Sequence, residues 1–355
     1  MATQLERFQD TVAHRVPDQV LAYANFTPDL KERMVAHCGT EDLAGHFDMY
    51  TPRYLGLKRT VDFNPDFSVY YQGETWPESF KIGGNGVAST GTDFYHFRHK
   101  ISPLRNAGSL DDVVAFPIED QTTYSDEDLP AEVDEAHRHG LVVSGTIGHL
   151  YESAWQLRGY EQFLMDMVSQ PEWADSIFER LHQNNLHKAR AYARAGVDVL
   201  HCGDDVANQN AMMFHPDMWW RFIGRRWAEL WAEAKSIHPD IKVWYHSDGN
   251  IEAIIPRLIE IGVDILNPVQ PECMDINRLH RQFGDKLVFD GTIGTQSVMP
   301  WGTPEEVRQC VRERIETLGT GGGLIVSPTH ILEPEVPIEN IEALFAAAKE
   351  FGGRS

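Results

Sequence analysis

From about residue 140 to its end, this 355-residue chain repeats one pattern: a short apolar or β-branched run, a polar cluster rich in Gly, Asp, His or Asn, then an amphipathic helical stretch. Such alternation means βα units, whose consecutive strands run parallel while each crossover helix covers the sheet. Candidate strands occupy residues 141–145, 197–201, 242–246, 263–266, 286–289 and 323–326, each bounded by turn residues. Two more are expected at 20–25 and within 50–63. The fold class that follows is α/β, a (β/α)8 TIM barrel. Residues 66–100, punctuated by Gly73, Gly83, Gly84, Gly86 and Gly91, read as an N-terminal hairpin insertion, a candidate lid or subunit contact. No Pro/Ser/Gly linker or charge block divides the chain, so residues 1–355 are expected to form one domain.

Helical patterning is strongest over 216–237 and 304–318. In the first, Trp219, Trp220, Phe222, Trp227 and Trp231 have the spacing of a packing face, and in the second Pro304 suits an opening turn. The glycines 321–323 precede the last strand and so fall at the N-terminal face of a barrel. They read as a helix stop and turn rather than a phosphate cradle, and no P-loop or Gly-x-Gly-x-x-Gly follows a strand.

The polar clusters stand just after the apolar runs. They hold Thr146 with His149 and Glu152, His201 with Asp204 and Asp205, His246 with Asp248, Asn267 with Gln270, Asp290, and Thr329 with His330. In a barrel all these strand ends converge on one face, where active sites are built. His246 and Asp248 follow a strand directly and could ligate a divalent metal, although Asp248 could equally cap the next helix while His246 bonds a neighbouring loop. The Asp204–Asp205 pair has the same ambiguity: one carboxylate could cap or pair with an arginine while the other meets substrate. Taken alone, a loop histidine such as His330 is more often structural than catalytic.

The balance of 31 Lys+Arg against 53 Asp+Glu gives a net charge of −22, which opposes attraction to nucleic acid and to anionic lipid. No signal-like segment and no apolar run of bilayer length occurs, and no two of Cys38, Cys202, Cys273 and Cys310 form a Cys-x-x-Cys pair. A cytoplasmic protein with reduced thiols and neither a nucleic-acid nor a membrane partner is expected.

Residues 140–350 resemble the superfamily of uroporphyrinogen decarboxylases and corrinoid-dependent methyltransferases. The resemblance rests on Tyr245-His246-Ser247-Asp248-Gly249-Asn250, the run 254–270, Phe289-Asp290-Gly291-Thr292-Ile293 and the stretch 321–341, with Pro103-Leu104-Arg105-Asn106-Ala107 an earlier island. The decarboxylases carry a histidine between two glycines where His330 stands; here both glycines are missing. They also carry two N-terminal arginines for the substrate carboxylates, and the comparable segment, Tyr23-Ala24-Asn25-Phe26-Thr27-Pro28-Asp29, has neither. Without those charge-assisted anchors, decarboxylation of uroporphyrinogen itself is disfavoured.

The methyltransferases of the superfamily bind zinc through His-x-Cys and a later Cys, positions that line up with His246, Asp248 and His330. The resemblance therefore implies a divalent metal, zinc by preference, held by nitrogen and oxygen instead of sulfur, as for an oxygen-bound substrate. It implies a metal-dependent methyltransferase (demethylase) acting on a small methylated molecule, with a corrinoid on a partner protein as acceptor. His149, Asp204, Asp205 and His330 are the candidate catalytic residues, and Glu152, His201, Asn267, Gln270 and Asp290 the candidate substrate contacts. Two other readings stay open: a metal-free decarboxylase of a small carboxylic acid, and a non-catalytic binding member. A homodimer is also open.

Overall fold

The computed structural model describes residues 2–76, 79–90 and 99–353. In chain order the strands are β1 (Leu21–Ala22), β2 (Arg53–Leu55), β3 (Phe80–Ile82), β4 (Ala88–Thr90), β5 (Lys100–Ile101), β6 (Val143–Gly148), β7 (Val199–Gly203), β8 (Lys242–His246), β9 (Ile265–Asn267), β10 (Val288–Asp290) and β11 (Leu324–Val326). Eight pair in parallel in the order β1-β11-β10-β9-β8-β7-β6-β2. The two outer strands meet where Tyr50 N–H donates to Ala22 O at 2.7 Å, just ahead of β2, which curls the sheet into a (β/α)8 TIM barrel.

Several strands begin one or two residues later than the apolar runs suggest. Two carboxylates occupy the positions just before them. Asp198 Oδ2 accepts from Val143 N–H and Asp264 Oδ2 from Val243 N–H, both at 2.7 Å, so each aspartate side chain stands in for a ladder partner of the neighbouring strand. The antiparallel sheet β3-β4-β5 lies in the expected 66–100 insertion. Residues 77–78 and 91–98 of that insertion, Gly91 among them, are outside the described residues.

Strand alternation decides what faces the barrel axis. On β8, Val243 and Tyr245 are fully buried against the helical layer, where Tyr245 meets the edges of Trp227 and Trp231. Trp244 and His246 take the opposite face. The aromatic stripe packs as expected: Trp219, Phe222, Trp227 and Trp231 are buried, while Trp220 is half-buried beneath Arg257. Its helix is not uniform, because one π-helical turn, Trp220–Gly224, separates Pro216–Trp219 from Arg225–Ile237. The glycine turn also falls where expected. Gly322 has φ +77°, and a Cβ there would lie 2.6 Å from Arg15 O.

The N-terminal mouth of the barrel is closed by an element that the βα alternation does not announce. Helix Gln4–Val12, started by a Thr3/Glu6 capping box, lays Phe8 against Tyr50, with ring centroids 6.1 Å apart. Phe8 thereby joins Leu21, Val142, Val199, Ile265 and Ile325 in a cluster at the entering ends of the strands. Among the described residues, no helix is long and apolar enough to cross a membrane. Phe8→Ala is expected to destabilise the protein by about 3–5 kcal/mol, read as a lowered urea midpoint followed by tryptophan fluorescence, because it empties a site enclosed by strands that cannot collapse inward.

Candidate active site

At the opposite end, the carboxyl ends of the strands surround a cavity of about 1100 Å³. Ladder pairing sets its geometry. Gly203 pairs with His246 and His246 with Asn267, so three neighbouring strands end in one row. A Cβ on residue 203 would lie 2.8 Å from both Cβ and O of His246, so the close approach of these strands requires glycine there. The loops after the row then carry Asp205 and Asp248 toward each other, and Asp205 Oδ1 accepts from Asp248 N–H at 2.8 Å.

His246, Asp248 and His330 are brought together across the mouth. His246 Nε2 lies 3.6 Å from Asp205 Oδ1 and 3.9 Å from Asp248 Oδ1, and His330 Nε2 lies 4.0 Å from Asp248 Oδ2. The imidazole centroids of His246 and His330 are 6.4 Å apart. Asp205, expected to handle substrate or a proton, stands within the ligand cluster: it, His246 and Asp248 each offer a ligand atom within 4.8 Å of the others. Two bonds of about 2.0–2.2 Å to one ion span up to roughly 4.4 Å, and the 3.6 and 3.9 Å separations from His246 Nε2 to Asp205 and Asp248 lie inside that reach, so this nitrogen and oxygen set fits a divalent metal. His246 Nδ1 is engaged with Asn267 Oδ1 at 2.8 Å, which directs Nε2 to the cluster.

Of the other candidates, His149, Glu152, His201, Asn267 and Asp290 line the cavity. Asp204 does not. It is fully buried behind the cavity, where it accepts from the N–H groups of Tyr151 (2.6 Å) and Glu152 (3.3 Å) and from Trp227 Nε1 (3.0 Å). Instead of meeting substrate it anchors the first turn of helix Tyr151–Arg158. Gln270 is likewise turned to support, accepting from Gly249 N–H at 2.6 Å and so bracing the loop after β8. Sequence reasoning missed Tyr23, Tyr54 and Trp244 in the cavity wall. A signal existed for Trp244, since it lies two residues before His246 and therefore shares its face of the strand.

Residues 143–351 match the profile of the family described as Uroporphyrinogen decarboxylase (URO-D). The chain belongs to the uroporphyrinogen decarboxylase family. Over 195 residues it is 26% identical to the Methylcobamide:CoM methyltransferase MtaA of Methanosarcina barkeri, a stretch covering 53% of this chain and 54% of that protein. The match thus spans about half the length of that relative. Over 266 residues it is 27% identical to a Uroporphyrinogen decarboxylase of Coxiella burnetii, covering 70% of this chain and 69% of that one. A solved methyltransferase from Methanosarcina mazei shares the fold, with a TM-score of 0.67 at 16% identity and 99% of each chain covered.

The site of this uroporphyrinogen decarboxylase family barrel holds histidines in opposite electrostatic states. Burial works against charge on His149. Its 2.7 Å contact with Glu152, helped by Asp204 and Asp205, outweighs that and raises its pKa to about 9. Burial and the nearby His246 and His149 instead push His201 down to about 3, so its ring, stacked on Trp244 at 3.7 Å, stays neutral. For His246, burial is again outweighed, here by Asp205, Asp248 and the Asn267 bond, and its pKa is raised.

His149 should therefore titrate near pH 9 by histidine NMR, and Glu152→Gln should carry it down toward or below its ordinary 6.5, because burial then meets less opposition. The sign for stability follows. The contribution of His149 is complete below about 6.5 and is lost as pH climbs through about 9, since the unfolded chain gives up that proton first. Chemical denaturation across this window checks it.

Proposed function

We propose that the protein is a divalent-metal-dependent methyltransferase acting on a small methylated substrate, with a corrinoid protein as methyl acceptor. The observation that carries the reading is the convergence of Asp205, His246, Asp248 and His330 at one rim of the cavity. Two carboxylates and two imidazoles balance the charge of a divalent ion and omit the thiolates that suit a sulfur nucleophile. The ion, when bound there, supplies Lewis-acid polarisation of an oxygen on the substrate. The similar protein of Methanosarcina barkeri is named for a methyl transfer that starts from a methylcobamide, which supports a corrinoid as this chain's partner in methyl exchange.

The chain's own residues supply the remaining functions. Asn267 orients the His246 ring through Nδ1. His149, held protonated by Glu152, can deliver or retain a proton at the cavity wall. His201 offers a neutral imidazole whose ring is fixed by Trp244 and by the edge of Tyr54. With Asp205 and Asp248 set aside for a metal, Glu41, Asp42 and Glu152 stand against Lys31, Lys100 and the protonated His149 around the cavity, and among the described residues no arginine lines it. A substrate bearing many carboxylates would find no guanidinium fork there, which favours a neutral or sparsely charged molecule.

Elemental analysis of protein purified without added metal is expected to find about one divalent ion per chain, as for a single catalytic site. His246→Ala and Asp248→Ala should lose it together with activity, with the circular dichroism spectrum unchanged. Occupancy should fall in mild acid as the imidazoles protonate. Full metal content in these variants, or no binding by the wild type when zinc is supplied, would turn the assignment to a metal-free decarboxylase using His149 or His330 as proton donor.

A further inference from the structure

We propose that Asp290 fixes which nitrogen of His246 faces the ligand cluster, acting as a positioning residue through Tyr23 and Asn267. The consequence for metal affinity rests on the metal reading above; the tautomer itself does not. Asp290 is 1% exposed and both its oxygens accept hydrogen bonds. Ser327 O–H donates to Oδ1 at 2.6 Å, while Ser327 Oγ itself accepts from Gly291 N–H at 2.8 Å. Trp244 Nε1–H, which can only donate, points at Oδ2 at 2.7 Å. Oδ2 is thus held as an acceptor.

Polarity then runs outward one group at a time. Tyr23 lies 2.9 Å from Oδ2 and must donate its hydroxyl proton to it, which leaves the phenol oxygen as an acceptor. The group facing that oxygen is the side-chain amide of Asn267, with Nδ2 at 3.4 Å. An amide has one donating and one accepting end, so turning its NH2 toward Tyr23 and Asp290 turns Oδ1 toward His246. Oδ1 lies 2.8 Å from His246 Nδ1 and can only accept there. The proton of a neutral His246 therefore sits on Nδ1, and the Nε2 lone pair is presented to Asp205 and Asp248 at 3.6 and 3.9 Å.

The amide of Asn267 is the one reversible link in this chain. The Asp290 carboxylate accepts from this amide as well, so the Tyr23 hydroxyl and Asp290 together demand its NH2; with the hydroxyl gone that demand weakens, and a flipped Asn267 would offer a donor to Nδ1. That would favour the tautomer protonated on Nε2, which cannot ligate through Nε2. Five strands supply the parts: Tyr23 follows β1, Trp244 lies in β8, Asn267 ends β9, Asp290 ends β10 and Ser327 follows β11. The barrel interior thus carries orientation from Asp290 on β10 to the His246 ring at the end of β8 through groups on other strands.

The test uses metal-free, 15N-histidine-labelled full-length protein, with the His246 tautomer read by long-range 1H–15N correlation at a pH where the ring is neutral. Zinc affinity is measured separately by competition with a chromophoric chelator. Wild type should show the Nδ1–H form. Tyr23→Phe keeps the packing but should mix or invert the tautomer and weaken zinc about 10- to 100-fold, the range expected for losing support around a metal-bound histidine. Ser327→Ala removes a donor to Asp290 outside the relay and should leave tautomer and affinity as in wild type. A wild-type Nε2–H form, an unchanged tautomer in Tyr23→Phe, or equal effects of both substitutions would overturn the proposal. Should the tautomer behave as stated while no variant or wild type binds zinc, the relay stands and the metal reading falls.

Discussion

The chemistry of this barrel depends on a row of backbone pairing that places Gly203, His246 and Asn267 side by side at the ends of three adjacent parallel strands. Side chains alternate along a strand, so a slip of one residue on β8 would send His246 into the helical layer and bring Tyr245 into the cavity. The tyrosine's packing against Trp227 and Trp231 opposes that slip. Glycine at 203 lets the strands approach closely enough for the following loops to converge, and the Asp205 bond to Asp248 N–H then ties those loops together. Backbone register is therefore what places the ligand atoms, and side-chain chemistry acts on a geometry already set.

Buried carboxylates do two different jobs around that row. Asp204 and Asp290 both lie almost wholly out of water, and burial raises the pKa of each. A buried acid is costly unless it is well hydrogen-bonded, and each is surrounded by donors. Asp204 spends its acceptors on the first turn of helix Tyr151–Arg158 and on Trp227, locking an outer helix to the barrel. Asp290 gathers Tyr23, Trp244 and Ser327 across the interior. The first stabilises the wall that carries His149 and Glu152; the second organises the floor beneath His246.

The strands, their order of appearance and the rim carrying His246, Asp248 and His330 were legible because βα alternation fixes which end of every strand bears the polar cluster. The separate fates of Asp204 and Asp205 were not. Adjacent carboxylates in a loop have the same composition whichever one turns inward, and only the position of helix Tyr151–Arg158 and of Trp227 decides it. The bracing contact of Gln270 was hidden for a similar reason, since its partner Gly249 is a backbone group that no pattern of side chains reveals. Helix Gln4–Val12 was missed because its role depends on Phe8 reaching the barrel mouth, a contact with strands far along the chain.

In this account one end of the barrel is sealed by apolar packing, and the other holds an oxygen and nitrogen ligand set oriented from within. The most direct test of that centre is X-ray absorption at the zinc edge on protein loaded with a single equivalent. The expected result is a first shell of nitrogen and oxygen at about 2.0–2.2 Å with outer scattering from imidazole and no sulfur shell. A sulfur contribution near about 2.3 Å, whether from Cys202 in the cavity wall or from Cys273 beside Gln270, or zinc that washes away with no defined shell, would contradict it.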